Sequence, residues 1–199
     1  MSRRKQRIVC EAPTRAFTVV ELLVVIAVIV VLAGLIFPTF AAARKQARVA
    51  SCTSQLRQIG AALAMYRQDY GTDPVWLSDV HPAYERDARI YICPEDGNGA
   101  HIDPDGHLDR YRDPHLPCSY VYEFNPLPYP DDFPPDFADQ PRGVSWRVLK
   151  TWELERYGDR TPIVRCWWHT STPTYDGFIL NLAYGGWVTR SPRKNPRWQ

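Results

Sequence analysis

The sequence lacks a strong net charge, since 24 lysines and arginines face 22 aspartates and glutamates for a formal net charge of +2. The basic excess is confined to the first sixteen residues, where a single glutamate is outnumbered by Arg3, Arg4, Lys5, Arg7 and Arg15. The rest of the chain is therefore mildly acidic. Because a nucleic-acid-binding protein needs a basic face for the phosphates, this charge distribution argues against nucleic acid as a partner.

A local catalytic signature is also missing. No Ser-His-Asp or Cys-His arrangement shows the spacing of a known motif, and the five histidines show no paired metal-ligand spacing. His169, beside Trp167 and Trp168, is interpreted as a residue at the end of a strand. We therefore expect a protein that is not an enzyme.

Charge is almost absent from residues 17–43, where Glu21 is the only charged residue. At ~1.5 Å per residue, a helix over residues 17–37 covers about 30 Å, the thickness of a bilayer's hydrocarbon core. The basic cluster lies directly before this segment, so the positive-inside rule predicts a cytoplasmic segment 1–16 and a body outside the cytoplasm. The sequence predicts one membrane-spanning helix over residues 17–43.

Three other N-terminal signals fit parts of this pattern. A secretory signal peptide fits the basic start and the small residues Ala41 and Ala43, but the apolar run exceeds the roughly 7–15 residues of such peptides. A twin-arginine signal fits Arg3-Arg4, but further basic residues follow where apolar ones are expected. A plain signal anchor leaves Glu21 unexplained, because a carboxylate in an apolar span is costly.

The segment resembles the type IV prepilins and the type II secretion pseudopilins of bacteria. That family has a basic leader, a small residue before the cleavage site, Phe as first mature residue, Glu as the fifth and Pro as the twenty-second. The corresponding residues here are Ala16, Phe17, Glu21 and Pro38. The resemblance covers about residues 15–68 and implies a single-pass protein of the bacterial inner membrane.

The resemblance also implies processing and assembly. A prepilin peptidase would remove residues 1–16 and methylate the amino group of Phe17, although Ala16 stands where the family usually has Gly. The Glu21 carboxylate would face the Phe17 ammonium of a neighbouring subunit, and Pro38 would bend or locally melt the helix. The implied partners are copies of the chain, related pilins or pseudopilins, the peptidase and an inner-membrane assembly platform. The filament would be a secretion pseudopilus or a type IV pilus.

Residues 44–71 predict an amphipathic continuation of the helix into the head. Apolar residues recur at steps of three and four, and Gly71 before Thr72-Asp73-Pro74 predicts the helix end. The members of this apolar stripe are Val49, Cys52, Leu56, Ile59, Leu63, Tyr66 and Tyr70.

Residues 72–199 predict a β-rich head, which makes the fold class α+β: a pilin-like long helix against a small antiparallel sheet. Gly185-Gly186 predicts a hairpin turn, and the Pro-rich segment 125–141 predicts a loop. The basic tail is predicted to fray. The predicted strands are 89–93, 119–123, 144–149, 162–169, 178–184 and 187–190.

Four cysteines fall outside the leader, and an even number beyond the membrane favours disulfides over metal binding. We favour a disulfide between Cys93 and Cys118, which closes a loop of about 25 residues. On the chain-entropy model this closure would stabilise the fold by ~3 kcal/mol. Free buried thiols at Cys52 and Cys166 are the alternative.

Two ligand sites in the head stay open. An oxygen-rich loop is a weak calcium candidate, without the register of a known calcium loop, and it contains Asp96, Asn98, Asp103, Asp105 and Asp109. The seven tryptophans are interpreted mainly as core and subunit-contact residues. The alternative is a surface for polysaccharide, which fits a second hypothesis: a binding domain that uses the helix only as a membrane tether.

Overall fold

The computed structural model describes residues 17–97, 99–130, 139–169 and 177–192, without the side chains of residues 37–39. The chain divides into two compact units, Met1–Arg44 and Lys45–Gln199. Helix α1, Val19–Tyr70, contributes residues to both units. A long helix with a four-stranded antiparallel sheet confirms the predicted α+β class.

The first unit is the apolar part of α1. By length and composition this part of the helix is able to cross a membrane. Its described large apolar side chains are 47–78% exposed, from Val25 at the lower end to Val19 at the upper. The backbone remains helical through position 38, so the local melting predicted at Pro38 is not seen.

In the second unit, the predicted stripe of α1 forms one side of the hydrophobic core. Tyr66 is half-buried and Tyr70 is exposed, so the stripe fades towards the end of the helix. The helix ends at Tyr70, and Gly71 follows in the left-handed region with φ of +68°. The predicted helix end is therefore confirmed. The buried stripe residues are Val49, Cys52, Leu56, Ile59 and Leu63.

The sheet supplies the other side of this core. Its strands are β1 (Val121–Tyr122), β2 (Pro162–Cys166), β3 (Phe178–Ala183) and β4 (Val188–Pro192), all antiparallel and in chain order. The turn between β3 and β4 contains Gly185-Gly186, as predicted, and Gly186 adopts a φ of +91° that favours glycine.

Two predicted strands are wrong. Residues 89–93 fall mostly in a 3-10 helix, Ala88–Tyr91, because the Asp87 side chain accepts a hydrogen bond from the Arg89 N–H and caps it. Residues 144–149 begin helix α2, Trp146–Tyr157, whose N-cap Ser145 accepts from the Val148 N–H. The apolar alternation at 144–149 resembles a strand, but the cap decides the local structure.

The tryptophans are less buried than expected. Trp146 is 3% exposed and packs between Tyr111 and Tyr129, whereas Trp187 is 44% exposed. The other described tryptophans are half-buried. Residues 131–138 of the Pro-rich loop and the tail 193–199 lie outside the described residues.

Candidate functional sites: an apolar helix and a buried cysteine–histidine cluster

The N-terminal end of α1 is closed by a capping box. Thr18 donates hydrogen bonds from its backbone N–H (2.8 Å) and from Oγ1 (2.7 Å) to Oε2 of Glu21. The Glu21 N–H in turn donates to Thr18 Oγ1 at 3.2 Å. This reciprocal pairing is the Thr-x-x-Glu form of the motif, so Glu21 has a partner within its own chain.

The helix surface beyond this cap carries no charge until Arg44. Phe17, which the resemblance makes the first mature residue, is 74% exposed. Ala16 lies outside the described residues, so the cleavage and methylation assigned to Ala16 and Phe17 stay predictions.

A second group of functional side chains lies in the head, where three cysteines and one histidine converge. The ligand atoms of Cys52, Cys93, Cys166 and His169 all lie within 4.8 Å of one another. None of the four residues is more than 3% exposed. Sequence reasoning did not bring these residues together.

Each member of this cysteine–histidine cluster is held by a regular element or a tight turn. Cys52 belongs to the buried stripe of α1. Cys93 begins a turn in which the Asp96 N–H donates to the Cys93 carbonyl at 2.9 Å. Cys166 is the last residue of β2 and pairs with Leu180. The turn that follows β2 brings His169 back towards the sheet.

Two contacts with Phe178 hold His169 in place. Its carbonyl accepts from the Phe178 N–H at 3.3 Å, and its ring stacks on the Phe178 ring at 5.7 Å between centroids. Nε2 then lies 3.7 Å from the Sγ of Cys93. Nε2 is therefore the ring nitrogen of His169 that faces the cysteine sulfurs.

Hydrogen bonds link the thiols of Cys52, Cys93 and Cys166. Hydrogen bonds from the thiols of Cys166 and Cys93 lower the pKa of the Cys52 thiol, while burial raises the pKa of the Cys166 thiol. Tyr120 Oη lies 3.5 Å from the Cys52 Sγ and donates to Oε1 of Gln55 at 2.9 Å. At Cys52 the hydrogen bonds from neighbouring groups therefore lower the pKa by more than burial raises it.

A family model described as "Protein of unknown function (DUF1559)" matches residues 41–151, more than half of the chain. The chain belongs to the DUF1559 family. The match includes Cys52 and Cys93 but not Cys166, His169 or the start of α1. No curated protein and no solved structure matches the chain.

The predicted disulfide of this DUF1559 protein is not formed. Cys93 and Cys118 are both free and buried, and Cys93 lies instead in the cysteine–histidine cluster. The Cys118 sulfur accepts from the Tyr120 N–H at 3.3 Å, and burial raises the pKa of its thiol to about 12. The proximity of 93 and 118 in sequence did not reveal that β2 brings Cys166 into one cluster with Cys93.

The calcium candidates hold the loop together by accepting hydrogen bonds from protein groups. Asp96 accepts from the Gly99 N–H, the His101 N–H and Ser119 Oγ at 2.7–2.9 Å. Asp103 accepts from the Leu108 N–H at 3.1 Å.

The weak calcium candidate in this loop stays untested. Asp105 is exposed, and Asn98 lies outside the described residues. Across the described ranges, the carboxylates of this loop do not form a metal-ligand group of three or more.

Proposed function

We propose that this DUF1559 protein is a pilin-like subunit that assembles through the apolar part of α1 into a secretion pseudopilus or a type IV pilus-like filament. In this proposal a peptidase cuts between Ala16 and Phe17 and methylates the new amino terminus. Before assembly the apolar segment spans the bacterial inner membrane, with the head outside the cytoplasm. The partners are other copies of the chain, related pilins and an inner-membrane assembly platform.

The exposed apolar surface of α1 carries the proposal. Its described large apolar side chains, from Val19 to Ile36 and at Phe40, are about half or more exposed, yet the same helix continues into the buried core of the head. Apolar surface on this scale must be covered by lipid or protein. A filament of identical subunits covers it with further copies of the same segment, whereas a simple anchor leaves it in lipid.

Glu21 gives the proposal its specificity. Cleavage after Ala16 places an ammonium group on Phe17, four residues before Glu21. In a low-dielectric bundle, a carboxylate paired with an ammonium from a neighbouring copy is far more favourable than either charge alone. The charge of Glu21 would therefore select an axial register between subunits.

The capping box supports a second candidate, a membrane-anchored binding domain. Because Glu21 already pairs with Thr18, its presence has an explanation that needs no neighbouring subunit. Under that candidate, Glu21 only begins the helix, and α1 acts as a tether for the head.

The two candidates are separated by uncoupling the charge of Glu21 from its capping role. Glu21→Gln keeps a residue that completes a capping box but removes the charge, whereas Thr18→Ala removes the cap and keeps the charge. Each variant is expressed in the native host with a photo-reactive residue at Val25, and cross-linked dimers are quantified. The proposal predicts that Glu21→Gln lowers cross-linking by about tenfold or more, equivalent to ~1.4 kcal/mol, and that Thr18→Ala lowers it much less.

A tether predicts a different outcome. Cross-linking would then be near background in the wild-type protein, or the two variants would reduce it equally. Immunoblots of the membrane fraction serve as the control, because both variants must be inserted to the wild-type level.

A further inference from the structure

We propose that Cys52, Cys93, Cys166 and His169 bind one zinc ion, through three thiolate sulfurs and the Nε2 of His169. The site would be tetrahedral and structural, inside the head. This inference does not depend on filament assembly, since all four residues belong to the second unit.

The spacing of the ligand atoms is close to that of a zinc site. With Zn–S of about 2.3 Å and Zn–N of about 2.0–2.1 Å, a tetrahedron separates two sulfurs by about 3.8 Å and a sulfur from the nitrogen by about 3.6 Å. The observed distance from Cys93 Sγ to His169 Nε2 is 3.7 Å, and no pair of ligand atoms exceeds 4.8 Å. Small side-chain rotations would close the remaining distance.

The donor set selects the type of metal. Three thiolates and one imidazole are soft or borderline ligands that suit zinc, whereas magnesium and calcium prefer oxygen. Four protein ligands fill a tetrahedral ion and leave no position for substrate, which is the pattern of structural zinc sites. The site therefore adds no catalytic function to the protein.

An odd number of convergent sulfurs disfavours a disulfide as the purpose of the cluster. A disulfide between any two of the three cysteines would leave the third as a thiol in the core. Zinc uses all three sulfurs and the histidine together. Its charge also balances the thiolates, whose burial would otherwise be costly.

The bound ion would join parts of the head that are distant in sequence. Cys52 lies on α1, Cys93 lies in the turn after the 3-10 helix, and Cys166 and His169 flank the end of β2. Zinc would thus fix the helix to the sheet and to the intervening loop. Because such a site is absent from the unfolded chain, its binding free energy stabilises the folded head.

The first test is made on the wild-type full-length chain, purified in detergent from cells grown with zinc and without reducing agent or chelator. Metal content is measured by plasma mass spectrometry, and the zinc environment by X-ray absorption spectroscopy. The proposal predicts about one zinc per chain with a shell of three sulfurs and one nitrogen. Alkylation after denaturation should find Cys52, Cys93, Cys118 and Cys166 all reduced.

The second test uses variants with matched controls. Cys52→Ser, Cys166→Ser and His169→Gln should each lower zinc content to about a tenth or less of the wild-type value, because a structural site needs its four ligands. Cys118→Ser changes an equally buried cysteine outside the cluster, and His115→Gln changes an exposed histidine. Both controls should retain zinc.

Four results would overturn the proposal. Wild-type protein without stoichiometric zinc would do so, as would a disulfide between two cluster cysteines in that protein. Zinc bound through oxygen or retained fully by the cluster variants would place the metal elsewhere. The wild-type measurements need no substitution, so they can overturn the proposal even if a variant fails to fold.

Discussion

At the scale of single residues, the head contains a network of buried charged side chains in addition to the cysteine–histidine cluster. Lys150 is 1% exposed, and its Nζ lies 2.7 Å from Oε2 of Glu123 and 2.6 Å from Oε2 of Glu153. Arg165 Nε lies 3.0 Å from Oε1 of Glu123. Burial raises the pKa of Glu153, and the Lys150 charge opposes this shift. Lys150 therefore compensates two carboxylates that have no access to water.

Replacing Lys150 tests how much this network contributes to the free energy of unfolding. Lys150→Met keeps the length of the side chain but leaves Glu123 and Glu153 close together with one cation fewer. Breaking a buried ion pair on one side costs ~3–5 kcal/mol, so we expect the free energy of unfolding to fall by about that amount. Urea unfolding followed by circular dichroism measures it.

Arg156→Met is the matched control on the same helix. Arg156 pairs with Asp139 at 2.8 Å, but both side chains are about half exposed, and exposed ion pairs contribute ~0–1 kcal/mol. Equal losses in the two variants would contradict the assigned role of Lys150.

At the scale of elements, the close contact of α1 with the sheet depends on Gly60. A Cβ at this position would lie 3.0 Å from Cδ1 of Leu182 on β3, which is shorter than a normal van der Waals contact. A larger side chain would therefore push helix and strand apart at the centre of the core. This gives a packing reason for a glycine in a helix interior, where glycine is otherwise unfavourable.

A valine at position 60 tests this contact. Gly60→Val should lower the free energy of unfolding by ~1–3 kcal/mol through overpacking. Ala61→Val places the same side chain on the exposed face of the same helix, where we expect a loss under about 1 kcal/mol from helix propensity. Chemical unfolding of both variants measures the difference, and a Gly60→Val protein as stable as Ala61→Val would contradict the close packing.

The elements differ in how well the sequence predicted them. The stripe of α1 as far as Leu63, the glycine stop at 71 and the hairpin at 185–186 were correct, because local spacing and turn residues determine them. Residues 89–93 and 144–149 were predicted as strands from short apolar alternation. The caps at Asp87 and Ser145 were the local signals that favoured helical turns there.

At the scale of the whole molecule, long-range convergence limited what the sequence predicted about the head. The cluster residues come from positions 52, 93, 166 and 169. They do not form a short sequence motif, because only the fold brings them together. The sole local hint was the spacing of Cys166 and His169, three residues apart where β2 ends. The long apolar helix at the N-terminus was predictable because its residues follow one another on a single element.

The proposed processing of α1 before assembly is tested most directly by the mass of the mature chain. Intact mass spectrometry is performed on the protein purified from membranes of its native host. We expect a chain that begins at Phe17 and carries one added methyl group on its amino terminus. A chain that still begins at Met1, or one cut after Ala43, would contradict it.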